Sequence, residues 1–199
     1  MTKGRLEAFS DGVIAIIITI TILLIDLPEG DGWADLMKML PIVGSYLISF
    51  IIVGTNWVNH HHLLQVTCEV NGKILWANLL YLFLLSFIPL TTGWVGRSKF
   101  AMVPVTVYVI MNLANAGSYL LLERMIIRCA DCEVLKDAVN EHRKEFWTIG
   151  IELIALAVSF IPMAHYTALP LLVVAFSPWI IPDLRMKRVY EEARRGKNE

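Results

Sequence analysis

The chain places a carboxylate at the mouth of its first apolar stretch. Arg5, Phe9, Ser10 and Asp11 lead directly into Gly12-Val13-Ile14-Ala15-Ile16-Ile17-Ile18-Thr19-Ile20-Thr21-Ile22-Leu23. An aspartate within or near hydrocarbon costs about 2.5–3.5 kcal/mol on insertion scales and needs polar partners from its own protein. Two further polar patches fall at the same expected membrane depth. One is Asn56-Trp57-Val58-Asn59-His60-His61-His62, and the other runs from Asn71 through Trp76 to Asn78. Histidine and tryptophan N–H groups, with Arg5, are donors that such a carboxylate accepts. The expected chemistry is a polar clasp, formed by Arg5, Phe9, Ser10, Asp11, His60, His61 and Trp76, that fixes the pose of the first helix. Plain interfacial anchoring by Trp and His accounts for these residues about equally well.

Beyond the clasp lies a ladder of aliphatic residues. With each helical residue advancing about 100°, Ile16, Ile20, Leu23 and Leu27 share a stripe about 60° wide, and Asp11 points about 140° away from Ile16. One copy of such a face meets only lipid or core. Symmetric association of several copies gathers the faces around an axis, giving a narrow apolar tube that gates by dewetting, with the Thr19 hydroxyl nearby. Periodicity alone favours lipid or core packing; the polar cluster behind the ladder favours the tube.

Other reactive side chains make weaker cases. His60, His61 and His62 cannot share one helical face, and no i, i+4 ligand pair accompanies them, although Cys68 and Glu69 are near in sequence. No metal is expected. Cys129-Ala130-Asp131-Cys132 has the C-x-x-C spacing but neither a second pair nor a strand context. Glu152, inside the fifth apolar stretch, suits snorkelling to the interface more simply than proton coupling. The sequence holds no Walker motif, no Thr-Val-Gly-Tyr-Gly filter, no arginine-rich helix and no nucleophile–base pairing. An ATP-driven pump, an ordinary potassium-channel filter, a voltage sensor and an enzyme are therefore not expected.

The elements that position these residues follow from composition. Hydrophobic residues make up 56% of the 199 positions, charged ones 18%, and mean hydropathy is +0.60, values that point to an all-α, multi-pass membrane protein. Six helices are expected, at approximately 5–27, 40–62, 72–95, 100–125, 145–163 and 166–183, in one domain covering 1–199, with a tail at 184–199. Pro89 with Thr91 and Thr92 predicts a kink in the third, and Asn112 and Asn115 predict interhelical hydrogen bonds from the fourth. Glu7 and Asp11 argue against a cleaved signal peptide. Of the 17 Lys and Arg residues, all but Lys38, Arg97 and Lys99 fall on one side when both termini are placed in the cytoplasm. Cys68, Cys129 and Cys132 then lie on cytoplasmic segments, where thiols stay reduced. Glu29, Asp31 and Asp35 on the opposite side read as ordinary loop charge or as a cation-concentrating patch. The basic tail sets topology or meets anionic lipid.

Arg5-x-x-x-Phe9-Ser10-Asp11-Gly12-Val13 closely resembles the signature that opens the first helix in the transmembrane protein 175 family of potassium channels. Trp57 followed by His60 and His61, then Leu75-Trp76-x-Asn78-Leu79 leading to Ser86, Pro89 and Thr91, are supporting similarities. The resemblance covers the first three helices; the others agree only in number and hydrophobicity. It implies a homotetramer of the bacterial, single-repeat type, with helix one lining a pore that has no carbonyl filter. By position from Asp11, the constriction falls on Ile16, with Ile20 and Leu23 completing the apolar stretch, and Thr19 matches a threonine implicated in potassium preference. Arg5, Phe9, Ser10 and Asp11 form the helix-packing network with the His and Trp residues of helices two and three.

The expectation is therefore a potassium-permeable leak channel in a prokaryotic plasma membrane. Its partners are further copies of itself, the lipid bilayer and permeant monovalent cations, without nucleic acid or a cofactor. The alternative is a proton- or metal-coupled secondary transporter using His60–His62, Asp11 and Glu152.

Overall fold

A computed structural model of the chain describes residues 2–65, 67, 69–129 and 143–180, and all regular structure among them is helical. The first helix, α1, spans Lys3–Leu23. It stops short of the expected residue 27 for a local reason. Leu24 N and Ile25 N bond to the Thr21 and Ile22 carbonyls, tightening the last turn, and Pro28 then bars its predecessor from helical geometry. Leu27 consequently lies beyond the helix and leaves the ladder. A short helix not anticipated from the sequence, α2, covers Trp33–Lys38, with Lys38 paired to Asp35 at 2.6 Å.

The next helix, α3, runs Leu40–Gln65 and carries all three consecutive histidines within its length. Asn71 caps α4 (Gly72–Leu85), its Oδ1 accepting the Ile74 N–H at 3.0 Å, a contribution of about 1 kcal/mol. The third apolar stretch bends at Ser86–Phe87 and continues as α5 (Ile88–Arg97), with Pro89 in its first turn. Hydroxyls dress the bend: Thr91 donates to the Phe87 and Ile88 carbonyls, and Thr92 to that of Ile88 at 2.6 Å. Two left-handed residues, Lys99 and Phe100, reverse the chain into α6 (Met102–Cys129). Then come α7 (Arg143–Ser159), a 3-10 turn (Ala164–Thr167) and α8 (Ala168–Ile180). Cys68, residues 130–142 and the tail after residue 180 lie outside the described residues, and with them most of the C-x-x-C spacing.

Among the described residues, four helical segments are long and apolar enough to cross a membrane: α1, α3, α4 with α5, and α6. The described parts of α7 and α8, 17 and 13 residues, rise about 26 and 20 Å; α7 follows, and α8 precedes, segments outside the described residues. The main core joins Ile14 and Ile17 of α1 to Ile52, Tyr81, Leu85, Val105, Tyr108, Leu172 and Phe176. A smaller one at the N-terminal end of α1 gathers Leu6, Leu63, Leu64, Ile74 and Leu122. Helix α6 sits centrally against α4, α5, α7 and α8, whereas α1 packs on one flank, against α3, α4 and α5.

Because lipid supplies no hydrophobic drive between helices, buried hydroxyls and close backbone approach carry much of the association. Ser49 Oγ lies 2.6 Å from Thr92 Oγ1 and 2.7 Å from the Tyr108 hydroxyl, joining α3, α5 and α6. Asn115 donates across to the Tyr81 carbonyl, while Asn112 bonds within its own helix to Tyr108 O. Thr148 and Trp179 tie α7 to α8. Gly96 is pressed against α3: a Cβ there would lie 2.6 Å from both Ile42 Cα and Ser45 Oγ. Gly96→Ala should therefore cost about 1–3 kcal/mol through overpacking and lower the melting temperature in detergent. The control Gly117→Ala has open space around its Cβ and should gain about 0.5–1 kcal/mol from helix propensity. Equal melting temperatures for the two variants would contradict this packing.

Candidate functional site

The sequence of α1 sorts its residues onto two faces. Leu6, Ser10, Ile14, Ile17 and Thr21 recur every three or four positions and are buried. The opposite stripe is bare: Ile16 is 57% exposed, Ile20 44% and Leu23 78%. Thr19 lies beside them. Its hydroxyl proton points back to the Ala15 and Ile16 carbonyls, both at 3.0 Å, so the free side of its oxygen is an acceptor directed away from the bundle. Ile16 and Ile20 also wall a shallow groove with Val13, Ile17, Leu24, Ser86, Pro89 and Leu90, where α1 passes the bend between α4 and α5.

What holds α1 in this rotation is a polar thread through the protein. Asn78 Nδ2 donates to Ser10 Oγ at 3.0 Å, and Asn78 Oδ1 lies 2.7 Å from His60 Nε2. All three side chains are fully buried. The His60 ring stacks flat on Tyr81, with centroids 5.1 Å apart and planes 4° from parallel. The Tyr81 hydroxyl donates onward to Asn56 Oδ1 at 3.2 Å. Each neutral bond made in such surroundings contributes about 0.5–1.5 kcal/mol net, and one left unmade costs about 1–3 kcal/mol. The thread ties α1, α3 and α4 in one register.

Asp11 lies to one side of this thread, half-buried, and its Oδ1 accepts the Trp57 indole N–H at 2.9 Å. The tryptophan that reaches the carboxylate is Trp57 on α3; Trp76 on α4 is 75% exposed and takes no part. The His61 ring lies 6.1 Å from that of Trp57, tilted by 31°, and hydrogen bonds to Gln65. Arg5 is exposed, and its side chain makes no ion pair or hydrogen bond among the described residues, so Asp11 is satisfied without it; Phe9 is exposed as well. Instead Lys3 anchors the N-terminal end of α1, donating to the Gln65 carbonyl at the end of α3. Of the residues expected in the clasp, the structure thus unites Ser10 with His60 and sets Asp11 and His61 around Trp57. Asn78, the link between Ser10 and His60, stood out in the sequence as the end of one polar patch and within the Leu75-Trp76-x-Asn78 similarity; nothing in its spacing marked it as the central residue.

Glu152 does not reach an interface. It is fully buried on α7, and neither carboxylate oxygen has a partner among the described residues. The residues an ion-coupled transporter would use are dispersed: His60 is committed to Asn78, His61 to Gln65, and Glu152 lies on α7. No three His, Cys, Asp or Glu side chains converge on a metal-sized site among the described residues.

Comparison with known proteins bears on the same region. The family model described as endosomal/lysosomal potassium channel TMEM175 matches residues 5–89, which contain the exposed ladder and every member of the polar thread. A protein of Chryseobacterium sp. (strain P1-3), named as a potassium channel, is 47% identical over 193 residues, 96% of this chain and 100% of that protein. A potassium channel of Chamaesiphon minutus is 31% identical over 79% of this chain and 84% of its own length. The fold is similar to a crystal structure titled as a lysosomal potassium-selective channel TMEM175 homolog from the same organism, with a TM-score of 0.75 at 26% identity, covering 91% of this chain and 97% of that one. The chain is a multi-pass membrane protein that belongs to the TMEM175 family, a family of ion channels and not of enzymes.

Proposed function

We propose that this protein is a leak-type, potassium-permeable channel whose conduit forms where four copies bring the bare stripes of α1 around a common axis. The observation that carries the reading is the rotation of α1: Ile16, Ile20 and Leu23 are held outward while Ser10, on the opposite face, is pinned inward through Asn78 to His60. A helix that needed only to meet lipid has no use for so particular a rotational anchor. The names of the Chryseobacterium and Chamaesiphon relatives support potassium as the permeant ion.

In this reading Ile16, Ile20 and Leu23 form successive apolar rings that exclude water unless they widen. Thr19 offers its outward oxygen as an acceptor between the first two rings, where a partly dehydrated cation gains a ligand and potassium preference arises. Carbonyls from Lys3 to Thr19 are taken up by the helix itself, which supports permeation without a carbonyl filter at the level of Ile16 and Thr19. Each subunit crosses six times, with α7 and α8 contributing the last two crossings and both termini in the cytoplasm of a prokaryotic cell. The conduit is passive, and no cofactor takes part.

Two predictions test this. Ile16→Ala and Leu23→Ala should each raise potassium efflux from loaded vesicles several-fold, without dependence on an imposed proton gradient. Wild-type flux from both variants, in correctly assembled protein, would remove these residues from the pore. Asn78→Ala should strand the buried Ser10 hydroxyl and His60 N–H, at about 1–3 kcal/mol each, and appear as loss of the tetramer peak in size-exclusion chromatography. Asp11→Ala, whose partner Trp57 is partly exposed, should impair assembly less. An intact Asn78→Ala tetramer with native melting temperature would show that the thread does not hold α1.

A further inference from the structure

The C-terminal end of α1 rests in a saddle on α5. Gly93 lies directly beneath Leu24: a Cβ at this position would stand 3.3 Å from Leu24 Cδ1 and 3.4 Å from Leu24 Cβ. One turn further on, Gly96 meets the α3 backbone at Ile42. Helix α5 is thus wedged between α1 and α3, with no side chain to cushion either contact. Arg97, the last residue of α5, reaches back over the end of α1. Its Nε donates to Asp26 Oδ2 at 3.1 Å, and its Nη2 donates to Asp26 Oδ1 at 3.5 Å and to the Leu24 carbonyl at 3.4 Å.

The chemistry of these contacts is directional. The last carbonyls of a helix lack intrahelical donors and carry partial negative charge, so a guanidinium placed there is favourable. The planar fork engages carboxylate and carbonyl together, which sets orientation as well as distance. Residues 23 and 24 point about 100° apart on a helix. Seating Leu24 on Gly93 therefore turns Leu23 to the open side, where it is 78% exposed. Both side chains of the ion pair are themselves largely exposed, so the pair adds little to overall stability. Its leverage is on the rotation of the last turn of α1.

We propose that Arg97 is a positioning residue for conduction: with Asp26 and Gly93 it holds the C-terminal turn of α1 so that Leu23 keeps its place as the last apolar ring. The proposal rests on the pore reading of α1. Arg97 touches no permeant ion and acts through Leu24 and Asp26.

The test is potassium efflux from vesicles containing the full-length protein, with assembled mass measured by light scattering. Arg97→Gln should raise efflux about two- to fivefold, the span available to an exposed ion pair. Asp26→Asn, which keeps its shape and reads the same contact from the other partner, should do likewise. The two effects should not add when combined, and the exchange Asp26→Arg with Arg97→Asp should return efflux close to that of the native protein. In a Leu23→Ala background, Arg97→Gln should have no further effect, an outcome that a merely structural role does not produce. Unchanged efflux in Arg97→Gln and Asp26→Asn, with Ile16→Ala and Leu23→Ala raised, would overturn the positioning role and leave the pore intact. Additive effects, or an undiminished Arg97→Gln effect in the Leu23→Ala background, would also overturn it. No change in any of the four single variants would overturn the pore reading and this proposal together.

Discussion

A helix with one buried stripe has little to stop it turning about its own axis, and that constraint organises this molecule. The buried aliphatics of α1 tolerate small rotations, because apolar contacts carry no direction. Hydrogen bonds do carry direction. The contact from Asn78 to Ser10 at 3.0 Å is satisfied at one rotation of α1 alone. Asn78 in turn is held by His60, and His60 by its stacking on Tyr81. Low dielectric raises the stakes, since each bond is strong when made and each lone donor costly when not.

The rest of the subunit supplies a rigid frame for that thread. Helix α6 lies at the centre, and the hydroxyls of Ser49, Thr92 and Tyr108 fasten α3 to α5 and α6. The bend at Ser86–Phe87 lets one apolar stretch serve two tasks. Before it, α4 presents Asn78 to the interior; after it, α5 turns Gly93 and Gly96 toward its neighbours. Anchors thus meet α1 at its N-terminal end through Lys3, at Ser10 and Asp11, and at its C-terminal end through Arg97. Between them Ile14 and Ile17 face the core, while Ile16, Ile20 and Leu23 stay exposed on the other side.

The same arrangement separates two kinds of polar residue that look alike in a sequence. Ser10 and Asp11 are neighbours, yet one is sealed in the core and the other is half-buried against an indole. Trp57 and Trp76 each lie within a polar patch of the sequence, yet one donates to a carboxylate and the other lies bare. Adjacent helical positions diverge by about 100°, so a cluster defined by sequence proximity always mixes faces. Rotational phase between helices decides which members meet.

The sequence by itself determined that the chain is helical and membrane-embedded, because hydropathy and length constrain each span without reference to its neighbours. It also determined the bend after Ser86, since Pro89 and its threonines act on local backbone, and the two faces of α1, since periodicity is a property of one helix. The tertiary structure alone decided which polar residues touch: that Asn78 joins Ser10 to His60, that Trp57 serves Asp11, that Arg5 stands apart, and that Arg97 closes over Leu24. It also decided that Glu152 is sealed inside. These depend on contacts between segments far apart in the chain, where a side chain's partner is fixed by how two helices are turned and shifted against each other. No single stretch of residues encodes that relation.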